Sequence, residues 1–174
     1  MATTLVLGGA RSGKTAYAQA QAQARTLSGA PLMIVTAEAF DDEMTRRIDR
    51  HRADRGEAWR TVEAPLELVS AIRDLSSSDV AVVDCLTLWL SNLMAADRDI
   101  EAARHELVEA VSACRADLWL VSNEVGWGIV PDNALARRFR DEAGFLHQAL
   151  ARVVDEAVLI VTGLPLSLKS ASGA

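Results

Sequence analysis

The stretch that most constrains this chain is Gly8-Gly9-Ala10-Arg11-Ser12-Gly13-Lys14-Thr15, because it sits between an apolar triplet, Leu5 to Leu7, and a run of helix formers that begins at Ala16. A glycine followed after four residues by Gly-Lys-Thr, with a strand before it and a helix after it, is the pattern of a phosphate-binding P-loop. The glycines let the backbone bend and aim its N–H groups at phosphate oxygens, and the helix N-terminus adds partial positive charge. Lys14 is placed to bridge the β- and γ-phosphates, and the Thr15 hydroxyl to bind Mg²⁺. The expected ligand is therefore ATP or GTP.

A P-loop needs a sheet behind it, and the rest of the chain supplies one. Short apolar runs recur at Leu5 to Leu7, Leu32 to Val35, Val80 to Val83, Leu118 to Val121 and Val158 to Val161, the first four each flanked on at least one side by Gly, Pro, Asp or Ser. Runs of this kind read as strands buried on both faces of a parallel sheet. Helix-compatible stretches lie between them: Lys14 to Leu27, Asp41 to Ala53, Leu66 to Leu75, Leu86 to Ala95, Ile100 to Cys114 and Asn133 to Val154. The alternation predicts an α/β fold with a mostly parallel sheet and helices on both faces. Trp59 to Val62 is too polar on alternate residues for a central strand and is expected at an edge.

The chain has 174 residues, half of them hydrophobic, which suits one domain with a substantial core. No repeat or linker divides it, so residues 1 to 169 are expected to form one nucleotide-binding catalytic domain and 170 to 174 a frayed tail. The net charge is −6 with basic residues scattered among acids, which argues against a nucleic-acid partner and for a small-molecule one. No apolar run approaches a membrane span. Cys85 and Cys114 lack disulfide or zinc spacing, which fits a reducing cytoplasm.

Asp84 closes the apolar run Val80 to Val83, where an acidic residue beside a P-loop holds Mg²⁺ through its water shell; the same position also suits the N-cap of the next helix. From composition alone His51, within Arg46 to Arg55, reads as part of a solvated charged face. His105 and His147 lie amid aliphatic residues in helical segments, where packing or capping is the ordinary role. Ser122 to Pro131 follows a buried strand at the edge where α/β sheets bind ligands. Its Trp127, flanked by Gly126 and Gly128, suits either an exposed contact for a partner or an anchor in the core.

Taken together, these blocks resemble the bifunctional adenosylcobinamide kinase / adenosylcobinamide-phosphate guanylyltransferase family of cobalamin biosynthesis. The resemblance lies in residues 8 to 15; in Asp41-Asp42-Glu43-Met44 through His51-Arg52 to Trp59-Arg60-Thr61-Val62-Glu63; in Asp84-Cys85-Leu86-Thr87 to Asn92-Leu93; and in Ser122-Asn123-Glu124-Val125-Gly126 to Pro131. Arg138-Phe139-Arg140-Asp141 with Gly144, and Gly163-Leu164-Pro165-Leu166, complete the order. It implies a P-loop, RecA-like domain that phosphorylates adenosylcobinamide with ATP or GTP and then transfers GMP from GTP to adenosylcobinamide phosphate.

The resemblance also implies that His51 is the nucleophile that accepts GMP, with Lys14 serving the phosphoryl step. Nucleotide contacts then map onto Gly8, Gly9, Ala10, Arg11, Ser12, Gly13, Lys14 and Thr15, onto Thr36, Ala37 and Glu38, onto Arg52, Ala53, Asp54 and Arg55, and onto Glu63 and Asp84. Thr15 and Asp84 are the implied Mg²⁺ residues. A carboxylate at Glu63 can accept from both N1–H and N2–H₂ of guanine, which adenine cannot supply. A homotrimer is implied as well. The chain departs from the family's pattern at Gly144-Phe145-Leu146-His147-Gln148, where Gly-Arg-Leu-Asn-Gln is common, and at Gly56-Glu57. The rival reading is a P-loop small-molecule kinase without the transferase half, which has no need of His51 and its arginines.

Overall fold

A computed structural model describes residues 1–37 and 58–170. In chain order the elements are β1 (Thr3–Gly8), α1 (Lys14–Arg25), β2 (Leu32–Val35), β3 (Arg60–Glu63), α2 (Leu68–Arg73), β4 (Val80–Asp84), α3 (Leu86–Ala95), α4 (Ile100–Ala113), β5 (Asp117–Asn123), α5 (Ala134–Val153), β6 (Glu156–Val161) and β7 (Leu164–Lys169). The strands form a seven-stranded sheet in the order β3-β2-β4-β5-β1-β6-β7. Every neighbouring pair is parallel except β6 with β7.

The apolar runs bury both faces, and alternation along each strand divides them between two cores. Leu5, Ile34, Val83, Leu118 and Leu120 pack with apolar residues of α2, α3, α4 and α5. Val6, Met33, Val82, Trp119 and Val121 pack with α1 through Ala18 and Ala22. Those two alanines, one turn apart and fully buried, carry no side chain beyond Cβ, so the helix that follows the P-loop lies close against the sheet. On the other face a fully buried leucine such as Leu120 or Leu150 contributes roughly 1.5–3 kcal/mol. The longer helices start where capping chemistry allows: Asp99 accepts from Ala102 N at 3.0 Å to begin α4, and Asn133 accepts from Leu135 N at 2.8 Å to begin α5.

Two expectations need correction. Leu164–Lys169, not anticipated as a strand, pairs antiparallel with β6 at the sheet edge. Its Pro165 and exposed leucines hide the strand pattern, and an edge tolerates a residue with no N–H to donate. His105 is not packed: its ring is exposed, with Nδ1 3.5 Å from Glu109 Oε1 one turn along α4. Trp59 to Val62 is found as the edge strand β3 over Arg60–Glu63, shifted by one residue. The helix expected at Asp41 to Ala53 lies outside the described residues.

Candidate active site

Because β1 to β6 run parallel, their carboxyl ends form one edge, and several of the residues singled out in the sequence lie along it. Glu63, Val35, Asp84, Val121 and Val6 fall in one register row across β3, β2, β4, β5 and β1, and Gly8 lies two residues beyond that row. From β1 to β3 is four strand intervals, roughly 19 Å, and from β1 to β4 about half that. β5, placed between β1 and β4, brings Asn123 opposite Gly8.

The P-loop closes tightly on itself. A Cβ on Gly8 would lie 2.4 Å from Ser12 Oγ and 2.7 Å from the Ile160 carbonyl oxygen, so only glycine fits. Gly13 has φ +96° and faces Gly163 Cα. Ser12 N donates to Gly9 O at 3.2 Å, and Gly163 N, in the β6–β7 turn, donates to Ser12 O at 2.8 Å. Lys14 is buried and its Nζ donates to Gly9 O at 2.9 Å, arching over the loop. The Ser12 hydroxyl is the one side-chain polar atom among the described residues that is buried with no hydrogen-bond partner.

Asp84 is half-buried at the end of β4, and no described residue gives its carboxylate a hydrogen bond or ion pair. It is not the cap of α3; Cys85 holds that position, without a side-chain cap. Burial chiefly raises the Cys85 thiol above its ordinary value, with Asp84 adding to the rise and Lys14 opposing it. The P-loop cation and the β4 carboxylate thus both act on the same neighbour. Among the described residues no group of three or more His, Cys, Asp and Glu gathers as a metal cage.

Thr36 is fully buried and turned inward. Its hydroxyl donates to Cys85 O at 2.7 Å and accepts from Cys85 N at 2.9 Å, while Asn92 Nδ2 donates to Thr36 O at 2.8 Å. It therefore ties the ends of β2 and β4 together instead of presenting its hydroxyl to a ligand. Asn123 Nδ2 donates to Thr87 Oγ1 at 2.9 Å, and Thr87 Oγ1 lies 3.1 Å from Cys85 Sγ. Thr87, Asn92 and Asn123 fall within the blocks that carry the family resemblance, and buried Thr87 and Asn92 in the largely apolar α3 are a further legible sign of these supports.

Ala37 is half-buried and Glu63 exposed. Glu38, His51, Arg52, Ala53, Asp54 and Arg55 lie outside the described residues. His147 is buried on α5, its Nε2 2.7 Å from Ser122 Oγ. Burial holds its pKa below the ordinary value, with Glu124 opposing. Trp127 is 75% exposed, so of the two roles open to it the structure selects the surface one.

The family model for cobinamide kinase / cobinamide phosphate guanyltransferase matches residues 4–168. The bifunctional adenosylcobalamin biosynthesis protein CobP of Pseudomonas aeruginosa is 45% identical over 168 residues, covering 95% of this chain and 96% of that one. CobU of Escherichia coli, also named a bifunctional adenosylcobalamin biosynthesis protein, is 39% identical over 181 residues, with 95% and 98% coverage. Among solved structures, the P4 protein of bacteriophage phi6 in complex with ADP is similar with a TM-score of 0.50 at 15% identity, covering 94% of this chain and 52% of that chain. That last likeness shows the P-loop NTPase fold alone.

Proposed function

This chain belongs to the cobinamide kinase / cobinamide phosphate guanyltransferase family and is a bifunctional enzyme of adenosylcobalamin biosynthesis, and from that premise we propose how its sheet edge serves both reactions. The triphosphate sits on Gly8 to Thr15, where the orphaned Ser12 hydroxyl is consistent with a ligand oxygen completing the turn. In the kinase step the hydroxyl oxygen of adenosylcobinamide attacks the γ-phosphorus of ATP or GTP. The bond to the β-phosphate oxygen breaks, the diphosphate leaves and the hydroxyl proton is lost to solvent. Lys14 follows the charge on the transferring group.

In the second step a His51 imidazole nitrogen attacks the α-phosphorus of GTP and pyrophosphate leaves. The phosphate of adenosylcobinamide phosphate then attacks the resulting phosphoramidate, the P–N bond breaks, and adenosylcobinamide-GDP forms. Arg52 and Arg55 offset phosphate charge. Ala37, Glu38, Ala53 and Asp54 line the nucleotide, and Glu63 reads the guanine edge. Thr15 and Asp84 are the residues that would hold Mg²⁺. The Asp84 carboxylate, without a partner among the described residues, suits an ion that takes few protein ligands and fills the rest with phosphate and water. When bound, the ion supplies charge neutralisation to the triphosphate.

The reading includes one catalytic domain over residues 1–169, a homotrimer and a cytoplasmic setting. The observation that carries it is the alignment of the P-loop, Asp84 and Glu63 along one sheet edge. GTP labelled at the α-phosphate tests the transferase half. Wild-type protein should acquire an acid-labile, base-stable label, and His51→Ala should acquire none. Equal labelling of the two proteins, or none in either, overturns the histidine route.

A further inference from the structure

The loop between β5 and α5 presents an apolar surface that the nucleotide chemistry does not use. Trp127 is 75% exposed, Ile129 97% and Val130 63%, whereas Trp59, Trp89 and Trp119 are all buried. Exposure on this loop is built in. At one end Glu124 N donates to Gly8 O at 3.0 Å and the Glu124 carboxylate accepts from Gly126 N. At the other, Arg137 Nη1 donates to the carbonyls of Pro131 at 2.8 Å and Asp132 at 2.7 Å. A Cβ on Gly128 would meet nothing within 4 Å and one on Gly126 only the Glu124 carboxylate, so the backbone on both sides of the indole stands clear.

The position of this surface is fixed by the P-loop. Glu124 is bonded to the first P-loop residue, and Trp127 follows it by three residues, a reach of at most about 11 Å. The kinase substrate has its acceptor hydroxyl on a short amide-linked arm, comparable to two residues of extended chain, roughly 7 Å. The arm hangs from a broad, largely apolar macrocycle rimmed with carboxamides. When the hydroxyl is at the γ-phosphate, the macrocycle must lie about an arm's length from the P-loop, within the span that the loop covers. An indole and two branched aliphatic side chains suit its face, and exposed glycine backbone suits its amides.

We propose that the loop from Val125 to Val130 is the platform for the corrin ring, with Trp127 packed against the macrocycle. The proposal rests on the kinase activity of the family. The test is steady-state kinase kinetics with adenosylcobinamide as the varied substrate at saturating ATP, run alongside elution volume and acrylamide quenching of tryptophan fluorescence. Trp127→Ala should raise the KM for adenosylcobinamide about tenfold or more, leave the KM for ATP within about twofold, and elute as wild type. Trp127→Phe should recover most of the loss. In the wild type, cobinamide should shield the acrylamide-accessible tryptophan. An unchanged corrinoid KM in Trp127→Ala overturns the platform. So does a change of particle size with ATP and corrinoid kinetics lost together, which assigns the loop to a contact between copies. A wild-type protein that fails to phosphorylate adenosylcobinamide removes the kinase reading itself, a result distinct from either.

Discussion

The loops that leave β1 and β5 rise from neighbouring strands of the same edge, joined by the hydrogen bond from Glu124 N to Gly8 O, and they are built in opposite ways. After β1 the backbone does the work. Gly8 has no room for a Cβ, Gly13 needs a positive φ, and Lys14 folds back onto Gly9 O. After β5 the side chains do it. Ser122 is held from below by His147, Asn123 by Thr87, and the tip points its apolar groups outward. Phosphate is alike in every nucleotide, so a backbone cradle suffices for it. A particular base or ring needs particular side chains.

The sharpest way to break this contrast is Gly8→Ala. The added methyl meets the Ile160 carbonyl, which is backbone and cannot swing aside. Nucleotide-dependent turnover should fall about 100-fold as the loop is displaced, with overpacking costing about 1–3 kcal/mol of stability. Calorimetry and kinase assays measure the two effects, and near wild-type turnover would show that the loop is not fixed by its backbone.

A smaller, selective effect is expected at the far end of the edge. Glu63→Gln should raise the KM for GTP about tenfold, the order of a lost hydrogen bond to a charged group, with ATP little affected. Equal losses for the two nucleotides remove the guanine-reading role.

The smallest effect concerns His147. Burial depresses its folded pKa below 6.5, so below that pH the unfolded chain binds the proton more readily than the folded one. The stability that His147 contributes is therefore complete above about pH 6.5 and is lost as pH falls toward its folded value. His147→Asn should flatten the fall in Tm between pH 7.5 and pH 5.5 relative to wild type. The same slope in both proteins would place the acid sensitivity elsewhere.

The same contrast explains what the sequence made legible. β2 and α3 fall on the residues expected of them, because a buried parallel strand and an apolar helix are written in runs of side chains. The P-loop could be read because its geometry restricts residue choice at fixed spacing. The inward turn of Thr36, the distant partners of Thr87 and Asn92 and the pairing of His147 with Ser122 could not, since each rests on a residue 25 or more positions away. β7 escaped because edge pairing asks for backbone, not for an apolar pattern. Glu38, His51 and Arg52 to Arg55 were named through family resemblance alone.

The strand order has a consequence for how the protein is made. β1 appears first, but its partners on both sides are β5 and β6, and the turn at Gly163 closes on Ser12. A nascent chain that has emerged only as far as α4 carries the whole nucleotide motif without the walls that shape it. Contacts across 115 to 152 residues must form before the motif becomes a pocket, which makes folding slow relative to a locally wired domain. The segment that carries the motif leaves the ribosome before the strands that wall it and becomes competent only after them.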